Sequence, residues 1–122
     1  MAKILIVDDS VSLTLQVEEI LIAGGHQVLS AFDGIEALKL VREYQDINLI
    51  LLDYNMPKMD GLTLCAQVRE IPAYANTPVL MLTTASNRKL IEQGRKLGIK
   101  AWMIKPIPGD RLLDIVGQLA KA

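Results

Sequence analysis

The chain has one cysteine, one histidine and five aromatic residues among its 122, and each scarcity closes off a class of protein. Cys65 has no partner for an internal disulfide, so the fold needs no oxidising compartment and a reducing cytoplasm is its natural setting. His26 has no carboxylate or cysteine companion nearby in sequence and reads as a loop residue. With aromatics at 4%, the core must be aliphatic, as where β-branched strands pack against leucine-rich helices. A formal charge of −1 argues against a surface built for nucleic acid. No apolar run approaches the roughly 18 residues of a membrane span. The amino terminus, MAKILIVDDS, has four consecutive strong apolar residues before two aspartates, too short for a signal-peptide core. A monomeric cytoplasmic protein is expected.

What the chain does have is apolar residues, 51% of the total, enough at this length for one domain over 1–122 that buries about two-thirds of its unfolded surface without staples. Four continuous apolar runs stand out: ILIV at 4–7, LILL at 49–52, VLML at 79–82 and AWMI at 101–104, with a weaker fifth, QVLSAF, at 27–32. Such runs mark strands covered on both faces, hence a parallel sheet between helices. The intervening segments have helical spacing. Val11, Leu15 and Ile22 predict an apolar stripe on the first helix, stopped by Gly24 and Gly25. Asp33 with Glu36 opens the second as a capping box. Gly61 to Ile71, halted by Pro72, forms the third, with Leu64, Val68 and Ile71 inward. Ser86 is the expected cap of a fourth helix running to about Gly98. The fifth begins near Pro108, with Leu112, Ile115, Val116 and Leu119 inward. Strand and helix alternate five times, which predicts a doubly wound α/β domain with helices on both faces.

In open α/β sheets the functional crevice lies outside the carboxyl ends of the strands. The sequence puts Asp8 and Asp9 after the first strand, Asp53 after the third, Thr83 and Thr84 after the fourth, and Lys105 after the fifth. Singly, each has an ordinary explanation. Asp9 or Ser10 would cap the next helix, a strand-end threonine is more often structural, and a lysine before a proline is often solvated. Together they are harder to dismiss, because three neighbouring carboxylates repel unless a cation intervenes. Oxygen ligands without histidine or cysteine suit a hard ion, Mg²⁺ or Mn²⁺, better than Zn²⁺. A metal, a lysine and a hydroxyl around one carboxylate would receive the equatorial oxygens of a phosphoryl group, with that carboxylate as nucleophile. Asp53, at the tip of the buried LILL strand, is the best candidate.

VDDS after the first strand, LDYNMPKMDG after the third, LTTAS after the fourth and IKP after the fifth together resemble the receiver domain of two-component response regulators. The likeness spans essentially the whole chain and includes the separations between Asp53, Thr83 and Lys105. With nothing following the fifth helix, the expectation is a stand-alone, CheY-like receiver. The resemblance implies a flavodoxin-like sheet of strand order 2-1-3-4-5. It also implies that Asp53 accepts phosphoryl from a phosphohistidine of a sensor histidine kinase. Asp8, Asp9, Asp53 and the backbone carbonyl of Asn55 would hold Mg²⁺. Lys105 would bind a phosphoryl oxygen, its peptide bond to Pro106 cis. Thr83 would turn its hydroxyl toward the phosphoryl group, and the aromatic at position 102 would answer by moving inward.

Three departures stand beside the resemblance. Position 102, usually Tyr or Phe in the family, is Trp102, for which the competing reading is a strand tryptophan packed at the sheet edge. Thr84 is larger than the small residue common after the switch threonine. Ala85 offers no polar group to orient water, which implies slower self-dephosphorylation than with an acidic residue there. Residues 86–105 carry six cations, Arg88, Lys89, Arg95, Lys96, Lys100 and Lys105, against Glu92, a local +5 that leaves −6 elsewhere. A solvated helix face explains such a run. The sharper reading is an output face of fourth helix, fifth strand and fifth helix, docking an acidic or amphipathic segment of a kinase, a flagellar-motor switch protein or another phosphotransfer protein.

Other functions fit less well. A flavodoxin-like cofactor carrier would want a hydroxyl- and glycine-rich phosphate loop where DDSVS places carboxylates. A haloacid dehalogenase-like phosphatase would want an aspartate two residues after Asp53, where Asn55 stands. A phosphorelay intermediate, or a receiver-like interaction module that is never phosphorylated, remains as an alternative to a chemotaxis messenger.

Overall fold

The computed structural model describes residues 2–120. Its elements in order are β1 (Lys3–Val7), α1 (Val11–Ala23), β2 (Gln27–Ala31), α2 (Gly34–Glu43), β3 (Leu49–Leu52), α3 (Gly61–Arg69), a 3-10 turn (Pro72–Tyr74), β4 (Val79–Thr83), α4 (Arg88–Lys96), β5 (Ile99–Ile104) and α5 (Gly109–Leu119). The strands form one sheet of order β2-β1-β3-β4-β5, every neighbouring pair parallel. This is the doubly wound, flavodoxin-like arrangement expected from the alternation and the resemblance.

Successive residues of a strand point to opposite faces, and here both faces are covered. Leu5, Val7, Ile50, Leu52, Val79 and Met81 enter one core with α2 and α3. Ile4, Ile6, Leu49, Leu51, Leu80 and Leu82 enter the other with α1 and α5. Every residue of β3 and β4 is therefore buried, which is why their sequences show no alternation. Each such Leu or Ile contributes about 1.5–3 kcal/mol relative to exposure. β2 lies at one edge, half-buried, and reads correspondingly weakly in sequence.

Three helix expectations change. Val11, Leu15 and Ile22 face outward, each more than half exposed, while Thr14, Val17 and Leu21 are the buried residues of α1. The helix has apolar residues on both sides, so periodicity detects it without selecting which stripe meets the sheet. α4 is capped by Asn87, whose Oδ1 accepts the Leu90 N–H at 2.9 Å, rather than by Ser86. It stops at Lys96, and Gly98 then takes a positive φ of 81° to turn into β5. α3 ends at Arg69, two residues short of Ile71. Its guanidinium then ties the end of α3 to the carbonyls of Tyr74, Thr77 and Leu97. α2 opens on Asp33 as expected, with Oδ1 accepting the Glu36 N–H at 2.7 Å. On α5, Leu112 and Val116 are buried and Ile115 and Leu119 half-buried.

Candidate functional site

The backbone ladder continues one residue past the strands. Asp8 N–H donates to the Ala31 carbonyl (3.1 Å), Asp53 N–H to Val7 (2.9 Å) and Lys105 N–H to Thr83 (2.9 Å). Three charged side chains thus start from backbone as fixed as the sheet itself. Lys105 Nζ donates to Asp8 Oδ2 at 2.8 Å and to Asp53 Oδ2 at 3.1 Å, and all three groups are largely removed from solvent. The remaining oxygens are also engaged: Asp8 Oδ1 accepts Ser10 N–H (2.9 Å) and Asp53 Oδ1 accepts Asn55 N–H (3.2 Å). Asp9 is exposed at the mouth. One carboxylate oxygen from each of Asp8, Asp9 and Asp53 lies within 4.8 Å of the other two.

Burial pushes the Asp8 carboxyl above its ordinary 3.8, against the hydrogen bonds from Lys105 and Ser10, and the charge of Asp53 adds to the rise. Burial opposes the charge on Lys105 too, but its hydrogen bonds to Asp8 and Asp53 prevail and hold its pKa above 10.5. A raised carboxyl pKa means that the fold holds the neutral acid more tightly than the unfolded chain does. The associated stability is present below pH 3.8 and lost as pH rises through the folded value. Asp8→Asn is therefore expected to raise the denaturant midpoint of the metal-free protein at neutral pH. Paired unfolding curves of variant and parent without divalent ions check it, and an unchanged or lower midpoint contradicts the sign.

An acidic, oxygen-only donor set with no imidazole or thiolate matches a hard divalent cation rather than zinc. The three carboxylates, mutually repelling and only partly neutralised by Lys105, fit such an ion. Asn55 belongs to the same turn, bonded through its N–H to the Asp53 side chain. Behind that turn Lys58 takes a positive φ of 70°, and Asp60 caps α3 by accepting the Thr63 N–H at 2.8 Å. Gly61, the first residue of α3, is pressed against the strand end. A Cβ there would collide with the carbonyl oxygen of Asp53 and stand 3.0 Å from the Tyr54 Cα.

Thr83 ends β4 fully buried, and its Oγ1 accepts the Ala85 N–H at 3.2 Å. The carbonyl of Ala85 accepts the Trp102 indole N–H at 2.8 Å. One residue of the β4–α4 loop therefore joins the hydroxyl of Thr83 to the ring of Trp102. Trp102 lies on β5, the edge strand, as its competing reading had it, with the indole packed over α4 where Gly94 admits it: a Cβ on Gly94 would lie 3.0 Å from ring atom Cζ3. Gly94 was not among the expected site residues. Its signal was a glycine in a helix interior, which costs about 1 kcal/mol against alanine and asks for a reason. Thr84 is exposed beside this link.

The basic run resolves into two parts. Arg88, Lys89, Arg95, Lys96 and Lys100 are exposed on α4 and at the start of β5, with Arg95 3.4 Å from Glu92. Lys105 does not belong with them, because its ammonium is drawn into the acidic pocket. Lys105–Pro106 is a cis peptide bond. His26 accepts the Ala2 N–H on Nδ1 (3.1 Å), far from the carboxylates in the fold, and Cys65 is buried in the core.

No helix among the described residues is long and apolar enough to cross a membrane. A family model described as the response regulator receiver domain matches residues 4–117. The chemotaxis protein CheY homolog of Campylobacter jejuni is 32% identical over 120 residues, covering 94% of this chain and 92% of its own length. The chemotaxis protein CheY of Bacillus subtilis is 28% identical over 117 residues, 95% of each. The crystal structure of the chemotaxis protein CheY4 of Vibrio cholerae matches with a TM-score of 0.92 and 36% identity over 98% of both chains. A family match of that extent, met by the same fold in relatives of nearly equal length, makes the chain a response regulator receiver domain of the CheY-like kind.

Proposed function

We propose that this receiver is a phosphoacceptor working in the cytoplasm: Asp53 takes a phosphoryl group from a phosphohistidine of a sensor histidine kinase. A carboxylate oxygen of Asp53 forms the new O–P bond while the P–N bond breaks and the imidazole leaves with its electron pair. The observation that carries the reading is Lys105 Nζ, held between Asp8 and Asp53 at 2.8 and 3.1 Å, an ammonium already beside the attacking oxygen. Asp8, Asp9, Asp53 and the Asn55 carbonyl are the groups that would hold Mg²⁺ or Mn²⁺. When bound, the ion neutralises the carboxylates and the phosphoryl oxygens. Lys105 gives a second cation for those oxygens, and Thr83 a hydroxyl that can exchange Ala85 N–H for a phosphoryl oxygen.

That exchange reaches the surface through Ala85. Loss of its bond to Thr83 frees the loop whose carbonyl holds Trp102, so the α4–β5–α5 face changes with phosphorylation. This face carries five exposed cations of α4 and β5, and a groove bounded by Ile91, Ile99 and Trp102. It suits an acidic or amphipathic segment of a downstream protein. The chemotaxis proteins among the relatives favour a flagellar-motor switch protein, with a further phosphotransfer protein as the alternative. The test is incubation with Mg²⁺ and acetyl phosphate while intact mass and Trp102 fluorescence are followed. A Mg²⁺-dependent gain of one phosphoryl group supports the reading, and no gain sinks it.

The link to Trp102 has its own test. Gly94→Leu fills the space over which the indole lies and is expected to expel it. The phosphorylation-dependent fluorescence change should disappear while the mass gain remains. A variant that keeps the parent's fluorescence response shows that Trp102 answers phosphorylation without needing its packing over Gly94.

A further inference from the structure

Thr14 sits on the inward face of α1, 1% exposed, and its Oγ1 is the one buried side-chain polar atom among the described residues without a hydrogen-bond partner. Its N–H is spent on the Ser10 carbonyl at 3.0 Å. An unpaired hydroxyl in a core destabilises the fold, and an apolar residue of similar size would avoid that loss. The surroundings offer it a function. Thr14 lines a small cavity directly beneath the acidic pocket, walled by Leu13, Val17, Leu51 and Leu82 and reached by Asp8 and Asp53. The space admits about one water molecule. Asp8 has acceptor capacity left, because Ser10 N–H and Lys105 Nζ fill two of its roughly four positions.

We propose that this cavity is a buried water site and that Thr14 is a positioning residue: its hydroxyl holds a water that donates to the Asp8 carboxylate. Asp8 is then held by three bonds, from Ser10, from Lys105 and, through water, from α1. A carboxylate oriented in advance by such outer bonds meets a cation at lower cost. The water site stands on the geometry alone, and its effect on ion affinity rests on the metal-dependent reading above.

Crystal structures of the metal-free parent and of Thr14→Val, at a resolution that shows ordered water, test the site. The expected result is one water within hydrogen-bond distance of Thr14 Oγ1 and Asp8 in the parent and none in the variant. Mg²⁺ titration by calorimetry is expected to show affinity about tenfold weaker for Thr14→Val and near that of the parent for Thr14→Ser. Should Thr14→Val fail to fold, Thr14→Ala removes the same hydroxyl and is read the same way. A dry cavity in the parent overturns the proposal. So does a Thr14→Val protein of higher thermal stability and unchanged Mg²⁺ affinity, for the hydroxyl is then only a buried cost. If the parent binds no Mg²⁺ at all, the phosphoacceptor reading falls, and the water density alone decides the site.

Discussion

Asp53→Asn is expected to abolish the mass gain proposed for the parent with acetyl phosphate and Mg²⁺, lowering the rate of labelling by about three orders of magnitude or more. The reason is electronic rather than steric. An amide oxygen has little nucleophilicity toward phosphorus and, once attached, would carry a positive charge that a carboxylate does not. Shape and most contacts survive, because the introduced amide is isosteric with the carboxylate and its carbonyl oxygen can still accept from the Lys105 ammonium. Removing one of three carboxylates that lie within 4.8 Å also relieves repulsion, so the variant should unfold at no lower denaturant concentration than the parent. A folded, stable and unlabelled protein is thus the full expectation. Labelling that persists in Asp53→Asn would move the nucleophile to another side chain, with Asp8 and Asp9 next in line.

The second large effect is on the frame. Gly61→Ala places a methyl group against the Asp53 carbonyl oxygen and the Tyr54 Cα, both backbone atoms at the junction of β3 and α3. Neither can swing aside as a flexible side chain could, so α3 must retreat or the strand end must shift. Overpacking of a tight site costs about 1–3 kcal/mol, and backbone on both sides puts this case at the upper end. The same movement displaces Asp53, so phosphoryl uptake should fall together with stability. Chemical unfolding and acetyl-phosphate labelling of one preparation measure both. A variant as stable as the parent would show that the joint is looser than its contacts indicate.

The fold was legible because both faces of the sheet are covered: β1, β3 and β4 are continuous aliphatic runs, and their number and spacing define an α/β alternation. The set Asp8, Asp9, Asp53, Thr83 and Lys105 was legible because parallel strands deliver their last residues to one edge whatever the helices do. The failures have a common physical origin. The outward stripe Val11, Leu15 and Ile22 is as periodic as the inward one, and only the contact with the sheet and α5 separates them. Lys105, expected in the crevice, was also counted in the basic run, and only that second count fails, because the sheet turns its ammonium toward two aspartates. Gly94 and Thr14 acquire meaning from neighbours on other elements, Trp102 for the first and the cavity under Asp8 for the second, which no spacing along the chain reveals.

On the phosphoacceptor reading proposed above, Ala85 is the hinge pin of a door hung on a stiff jamb. Asp53 and Lys105 are fastened by main-chain bonds of the sheet, whereas the piece that must swing is latched at Ala85 by two bonds, to Thr83 Oγ1 and to the Trp102 indole. Each such latch is worth about 0.5–1.5 kcal/mol net, and a hydroxyl bonded to an anionic oxygen about 1.5–3. A single anion at Asp53 would then tip the balance of open and closed doors by roughly tenfold without loosening the wall.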